Sequence, residues 1–226
     1  MKKIIVLTGA GMSAESGIST FRDSGGLWEK YRIEDVATPE AWIKNPGLVL
    51  DFYNQRRAQL FKVEPNDGHY ALAGLEKNYD IEIITQNVDN LHERAGSSKI
   101  LHLHGELMKV RSTGVGAEVF DIKENKIEIN MGDLCPKGFQ LRPHIVWFGE
   151  AVPEIDNAIN IVQKADTVII IGTSMQVYPA AGLIHYAKSN IPVYVIDPNE
   201  ISNLASNIVL IKKTATAGLK DLIKCW

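Results

Sequence analysis

Two histidines in Leu101-His102-Leu103-His104 are the first candidates for proton chemistry. Imidazole titrates near neutrality and can take a proton from a hydroxyl. In an extended segment both rings share one face, opposite the leucines. A metal pair is the alternative, but no cysteine or carboxylate cluster at ligand spacing accompanies them. Gln86, Asn87 and Asp89 follow the apolar run Ile81–Thr85, so amide and carboxylate groups gather where a strand would end. The same residues also suit a turn with a helix N-cap, and spacing alone favours that. Further upstream, Gly9-Ala10-Gly11-Met12-Ser13-Ala14 fits G-x-G-x-x-[G/A] after a short apolar strand. There the missing side chains let a diphosphate approach backbone N–H groups at a helix start. No second strand ends in an acidic residue about twenty positions on, so a ribose would be held elsewhere, by Ser174 or Asn199 at later strand ends. A dehydrogenase half-domain is disfavoured for that reason.

A second cluster offers anion recognition. Val49, Phe52, Tyr53, Arg56 and Leu60 recur at steps of three and four, along one stripe of a helix. A guanidinium on an apolar stripe requires an anion or a route for its stem to reach water. Tyr53 and Arg56 stand one turn apart and together offer a hydroxyl and a bidentate fork to a carboxylate. A structural salt bridge is the competing use of Arg56.

These groups need elements to position them. Residues 3–7, 81–85, 167–171 and 193–196 are short apolar runs that end in small or polar residues, with 208–211 a weaker fifth. Their pattern predicts an α/β chain with a Rossmann-like open parallel sheet, ligands gathering at the strands' carboxyl ends. Two stretches break the alternation. Residues 31–79 read as a helical insert punctuated by Pro39, Pro46 and Pro65, and 111–142 as an insert containing a β-hairpin through Phe120, Ile122, Ile127 and Ile129. The expected division is 1–30, 80–110 and 143–226 for the main domain, with the two inserts forming a small one.

Composition narrows the function classes. The 226 residues, 45% of them hydrophobic, suffice for a buried core. Lys+Arg total 24 against 27 Asp+Glu, a net charge of −3, so no bulk positive field exists to hold nucleic acid. No apolar run approaches membrane-spanning length, and the two cysteines, Cys135 and Cys225, cannot build a disulfide framework. The expectation is a cytoplasmic protein that engages neither nucleic acid nor membrane.

From Gly9-Ala10-Gly11 the chain continues through Ser13-Ala14-Glu15-Ser16-Gly17-Ile18-Ser19-Thr20-Phe21-Arg22 to Gly26-Leu27-Trp28. Later come Thr85-Gln86-Asn87-Val88-Asp89-Asn90-Leu91-His92, Leu103-His104-Gly105-Glu106, Arg142 through Glu150, and Gly172-Thr173-Ser174. In order and rough spacing this resembles the sirtuins. The resemblance implies an NAD site made of Gly9, Ala10, Gly11, Ser13, Gln86, Asn87, Asp89, Gly172, Thr173, Ser174 and Asn199, with Phe21 and Arg22 on a mobile lid. It places Asn87 and Asp89 at the nicotinamide and its ribose, and makes Asn87 and His104 catalytic, with His104 the general base. His102 remains supporting or structural. The implied reaction removes an acyl group from a protein or peptide lysine, releasing nicotinamide and O-acyl-ADP-ribose. Val146, Trp147, Phe148 and Gly149 would bind the substrate by strand addition and form a tunnel for the lysine stem. Sirtuins that remove succinyl or malonyl groups resemble the Tyr53-x-x-Arg56 arrangement, which implies a preference for acidic acyl groups with some deacetylation.

The segment from Arg111 to Leu141 departs from the pattern. Most sirtuins hold a structural zinc there with two Cys-x-x-Cys pairs, and only Cys135 stands in this chain, too few thiolates for a closed site. No metal is expected, with hairpin packing replacing it. The alternatives are NAD-dependent ADP-ribosyl transfer to protein, a non-catalytic module that senses NAD or acyl-lysine, and hydride transfer.

Overall fold

The computed structural model describes residues 1–18, 30–123, 125–173, 178–200 and 208–226. The expectations placed on Phe21, Arg22 and Ser174 lie outside them.

Six strands form the main sheet: β1 (Lys3–Thr8), β2 (Asp80–Thr85), β3 (Ile100–His102), β7 (Thr167–Ile171), β8 (Val193–Ile196) and β9 (Ile208–Ile211). They pair in parallel in the order β3-β2-β1-β7-β8-β9. All five β7 residues are buried because both sheet faces are covered. Helices α5 (Asp67–Leu75) and α8 (Ala215–Lys224) pack on one face, around Ile4, Val6, Ile83 and Ile169. Helix α7 (Ile155–Val162) and a 3₁₀ helix (Ala180–Tyr186) pack on the other, around Ile5, Leu7, Ile170 and Val195. The strand order reverses direction between β1 and β7, the switch point at which open α/β sheets bind ligands. Register does the rest. Thr8 pairs with both Thr85 and Ile171, so Gly9, Gln86 and Gly172 leave the sheet at one level.

The short helix α1 (Ala10–Ala14) follows β1. Helices α2 (Ile33–Val36), α3 (Pro39–Lys44) and α4 (Pro46–Leu60) precede α5. Thr38 and Asn45 cap α3 and α4 by accepting from Ala41 N–H and Leu48 N–H, and Pro39 and Pro46 occupy first turns where no N–H is needed. Val49, Phe52, Tyr53 and Leu60 of α4 are buried with Leu107, Ile145 and Trp147. Helix α6 (Leu91–Arg94) completes the helices that bear on the site.

A separate antiparallel sheet has the order β5-β4-β6, from β4 (Gly105–Ser112), β5 (Val119–Asp121) and β6 (Leu141–Ile145). The hairpin expected through Phe120 and Ile127 is therefore corrected: Val119–Asp121 pairs with β4. Residues 127–129 form no strand because α4 side chains satisfy their backbone. Arg57 Nε donates to the Ile127 carbonyl at 2.7 Å, and Asn54 accepts from Ile129 N–H at 2.9 Å and donates to Ile129 C=O at 3.0 Å. The boundaries expected at 110 and 143 fall inside β4 and β6, whose pairing runs from Gly105↔Ile145 to Ser112↔Leu141. No helix among the described residues is long and apolar enough to cross a membrane.

Candidate functional site

The two glycine turns at the sheet edge are pressed together. Gly9 N–H donates to Ile171 C=O at 3.0 Å and Gly11 N–H to Gly172 C=O at 2.9 Å. A Cβ on Gly9 would lie 2.7 Å from Thr173 Cβ, and one on Gly11 2.7 Å from Gly172 Cα. Gly172 has φ +61°, in the left-handed region that favours glycine. These glycines thus serve turn-against-turn packing, and two of the N–H groups are used inside the protein. Ala10 is exposed at the tip, and Ser13 is buried beneath it.

Under that turn lies a buried polar network. Asn87 Nδ2 donates to Gly9 C=O and to Ser13 Oγ, both at 3.0 Å, and Ser13 Oγ donates to Asp89 at 3.0 Å. Asp89 also accepts from Leu91 N–H at 3.2 Å, an Asx-type turn into α6, whose N-cap position is Asn90 and carries no side-chain cap bond. Burial raises the Asp89 pKa above the usual carboxylate value, against the Leu91 and Ser13 hydrogen bonds and the charges of His102 and Arg56. Gln86 Nε2 donates to Thr173 Oγ1 at 3.2 Å, bridging β2 and β7 across the mouth. Asn199 is exposed beyond β8, its backbone and side-chain N–H groups donating to Asp197.

The two histidines divide the work. His104 Nδ1 lies 3.2 Å from Gln86 C=O. A carbonyl can only accept, so Nδ1 carries the proton and Nε2 keeps its lone pair. Burial lowers the His104 pKa, with the Gln86 bond opposing it, so the ring is a neutral base at physiological pH. His102 is held on both sides, by Asn87 C=O at 3.0 Å and Glu93 at 2.8 Å.

On the small-sheet side, Trp147 Nε1 donates to Tyr53 Oη at 3.0 Å. Burial pushes the Tyr53 pKa up to about 12, so the phenol keeps its own proton to donate. Arg56 is partly buried, with Cζ 5.9 Å from the Phe52 and Tyr53 ring centres. Burial lowers its pKa, opposed by the charges of Tyr53 and Asp89. Trp147 is 2% exposed and belongs to the core, whereas Phe148 is exposed and Val146 partly so. The N–H groups of Val146, Trp147 and Phe148 donate to His104 C=O, the Glu150 carboxylate and Ala37 C=O. These N–H groups are thus satisfied within the protein, and the Trp147 carbonyl in turn accepts Glu150 N–H at 3.0 Å.

Sequence reasoning missed the ion cluster beneath this segment. Glu150 accepts from Arg142 Nη1 and Arg111 Nη2, each at 2.9 Å, and Arg142 stacks 3.4 Å from the Trp147 ring centre. Both Arg142 and Glu150 bound the run Arg142–Glu150, but only its apolar middle suggested a role. Among the described residues no three His, Cys, Asp or Glu side chains are grouped to hold a metal, and buried Cys135 Sγ lies 3.3 Å from Ser112 Oγ.

A parallel sheet with two glycine turns at its switch point and an imidazole beside them is the architecture of an α/β nucleotide-binding protein. The Sir2 family model matches residues 9–179, and the chain belongs to the Sir2 family. It is 58% identical to an NAD-dependent protein deacylase of Bacteroides thetaiotaomicron, covering 98% of this chain and 97% of that one. It is 55% identical to an NAD-dependent protein deacylase of Helicobacter pylori, covering 99% and 96%. Among solved structures it is similar to a Sir2 homologue–NAD complex, with TM-score 0.87, 41% identity, and 99% and 89% of the chains covered. It also resembles a Sir2 protein with a deacetylated p53 peptide and 3′-O-acetyl ADP-ribose, with TM-score 0.79, 28% identity, and 98% and 92% covered.

Proposed function

We propose that this protein removes acyl groups from lysine side chains of proteins or peptides in an NAD-dependent reaction, preferring succinyl and malonyl groups and also removing acetyl. The observation that carries the reading is the His104 Nδ1–Gln86 C=O hydrogen bond, which leaves a neutral, lone-pair-bearing Nε2 at the mouth of the sheet.

The residues present fit NAD. The two glycine turns pack too closely for any Cβ between them, which brings their backbones together at the switch point, above the amide of Asn87 and the carboxylate of Asp89. Gly9, Ala10, Gly11, Ser13, Gly172 and Thr173 would border the diphosphate and ribose. Gln86, Asn87 and Asp89 would face the nicotinamide half, with Phe21, Arg22, Ser174 and Asn199 completing the contacts by family resemblance. When bound, NAD supplies a ribose carbon that parts from nicotinamide and a ribose hydroxyl that receives the acyl group. His104 takes the proton of that hydroxyl at Nε2, and the burial that lowers its pKa keeps it ready to do so near neutrality.

The acyl-lysine lies along Val146–Gly149, its backbone adding to this segment as a strand. Tyr53 and Arg56 receive a terminal carboxylate, the phenol donating one hydrogen bond and the guanidinium a charge-assisted one. The relatives named as deacylases support the general reaction, and Tyr53-x-x-Arg56 on the buried stripe supports the acidic preference.

Mass spectrometry of peptides carrying acetyl, succinyl, malonyl and longer acidic acyl-lysines, with and without NAD, tests both levels. NAD-dependent loss of succinyl and malonyl faster than acetyl is expected. No NAD-dependent loss from any peptide would sink the reaction, and equal rates would sink only the preference. ADP-ribosylated peptide in place of free lysine would favour transferase chemistry.

A further inference from the structure

The loop from Gln86 to Asn90 carries three proposed cofactor contacts, and the segment 102–107 holds its carbonyls one after another. His104 binds Gln86 C=O, His102 binds Asn87 C=O, and Leu107 N–H donates to Val88 C=O at 2.7 Å. His102 differs from the other two holds because its second nitrogen, Nε2, faces the Glu93 carboxylate at 2.8 Å. A carbonyl and a carboxylate are both acceptors only. A neutral imidazole has one N–H and would turn a lone pair toward one of them, so both contacts require the doubly protonated ring. The ring is almost fully enclosed, its side chain 7% exposed, while Glu93 reaches it from a side that is 40% exposed.

We propose that His102, held as an imidazolium between Asn87 C=O and Glu93, is a positioning residue for the cofactor loop, and that loss of its second proton sets the alkaline limb of turnover. The inference rests on the reading that Asn87 serves the cofactor. Two histidines two residues apart then bound the active range. His104 must be neutral, which sets the acid limb, and His102 must be charged.

The charges around His102 agree. The carboxyl groups of Glu93 on α6, Glu106 on β4 and Asp89 before α6 lie around the ring, while Lys109 is drawn to Glu106 at 2.8 Å. His92 on α6 is kept neutral by burial and the neighbouring histidines. Burial lowers the His102 pKa, but the Glu93 hydrogen bond and charge, the Asn87 carbonyl and Glu106 together outweigh it and the net shift is upward. His102 also acts on Asp89, lowering its pKa, so deprotonation loosens the loop and removes a counter-charge from the site.

The test combines ¹⁵N NMR of the histidine rings in the full chain, assigned with His102→Gln, and pH profiles of kcat/KM for NAD. Expected for the wild type is a His102 ring protonated on both nitrogens at pH 7. Glu93→Gln should lower its titration by about one pH unit or more and move the alkaline limb with it, leaving the acid limb in place. Glu93→Asp should restore most of the shift. His102→Gln should lower kcat/KM for NAD by about ten- to hundredfold, as loss of a charged hydrogen bond predicts, with the KM for acyl-peptide nearly unchanged. A singly protonated His102 at pH 7, or an alkaline limb that Glu93→Gln does not move, would overturn the proposal. The wild-type ring titration decides the charge state even if a variant fails to fold. A His104→Ala variant that kept full turnover would instead sink the reading of His104 and leave the ring titration of His102 standing.

Discussion

The Tyr53 hydroxyl accepts the indole N–H of Trp147 at 3.0 Å, joining the middle of α4 to the segment that follows β6. Both side chains are almost fully buried, at 1% and 2% exposure, so neither polar atom has water to fall back on. Tyr53→Phe removes the acceptor and strands the indole N–H. The expected loss is about 1–3 kcal/mol of unfolding free energy, read from urea denaturation. A variant as stable as the wild type would show that Trp147 finds another partner.

Arg56 stands one turn further along the same helix, within electrostatic reach of Asp89. Arg56→Met keeps the length of the apolar stem and removes the fork. Succinyl-lysine turnover should fall about ten- to hundredfold, the loss of a charge-assisted bond, while acetyl-lysine turnover changes much less. Steady-state kinetics with matched peptides measures the ratio. Equal losses on both substrates would make Arg56 a structural residue.

How legible was this in the sequence? The β-branched runs predicted five of the six main-sheet strands because parallel strands buried on both faces have little polar alternation to obscure them, whereas the three-residue edge strand β3 was too short to read. The stripe Val49, Phe52, Tyr53 and Leu60 was equally readable, because one face of α4 packs against a single core. Ile127 and Ile129 misled because their alternation is real but their backbone partners are Arg57 and Asn54, contributed from far along the chain. Spacing cannot announce such a partner. The charge state of His102 was hidden for the same reason: it depends on Glu93 and on a backbone carbonyl, neither of which the Leu-His-Leu-His pattern names.

Gly172→Ala tests the packing of the two glycine turns. The new methyl would meet Met12 N and lie 2.6 Å from Gly11 Cα, at a φ of +61° that alanine rarely adopts. A loss of about 2–4 kcal/mol in stability is expected, with weakened NAD binding, by thermal denaturation and calorimetric titration. Unchanged affinity in a folded variant would separate the turn from the cofactor.

His104→Ala addresses the chemistry alone. The ring touches Gln86 C=O and is not part of the Asn87–Ser13–Asp89 network, so NAD affinity should hold within a few-fold. Deacylation should fall about 10²–10⁴-fold, the usual worth of a general base. Retained turnover would rule out the assignment.

Acid should unfold the protein through a different pair. His69 and His92 are buried at 0% and 1% exposure, with ring centres 4.8 Å apart. His69 Nδ1 accepts Asn66 N–H at 3.2 Å in the capping box of α5, which needs an unprotonated nitrogen. Burial pushes the His69 pKa down to about 4 from 6.5, and drives His92 well below the same reference. A histidine whose folded pKa is depressed stabilises the native state above its unfolded value and loses that contribution as pH falls toward the folded one. The window therefore runs from about pH 6.5 down to about 4, and His69 alone accounts for about 3 kcal/mol across it. His102 does not offset this loss, because its raised pKa keeps it protonated throughout the window, and its own contribution fades only as pH rises through its folded value. Urea denaturation at pH 7, 5.5 and 4 should show stability falling more steeply in the wild type than in His69→Phe. Parallel slopes would place the acid sensitivity elsewhere.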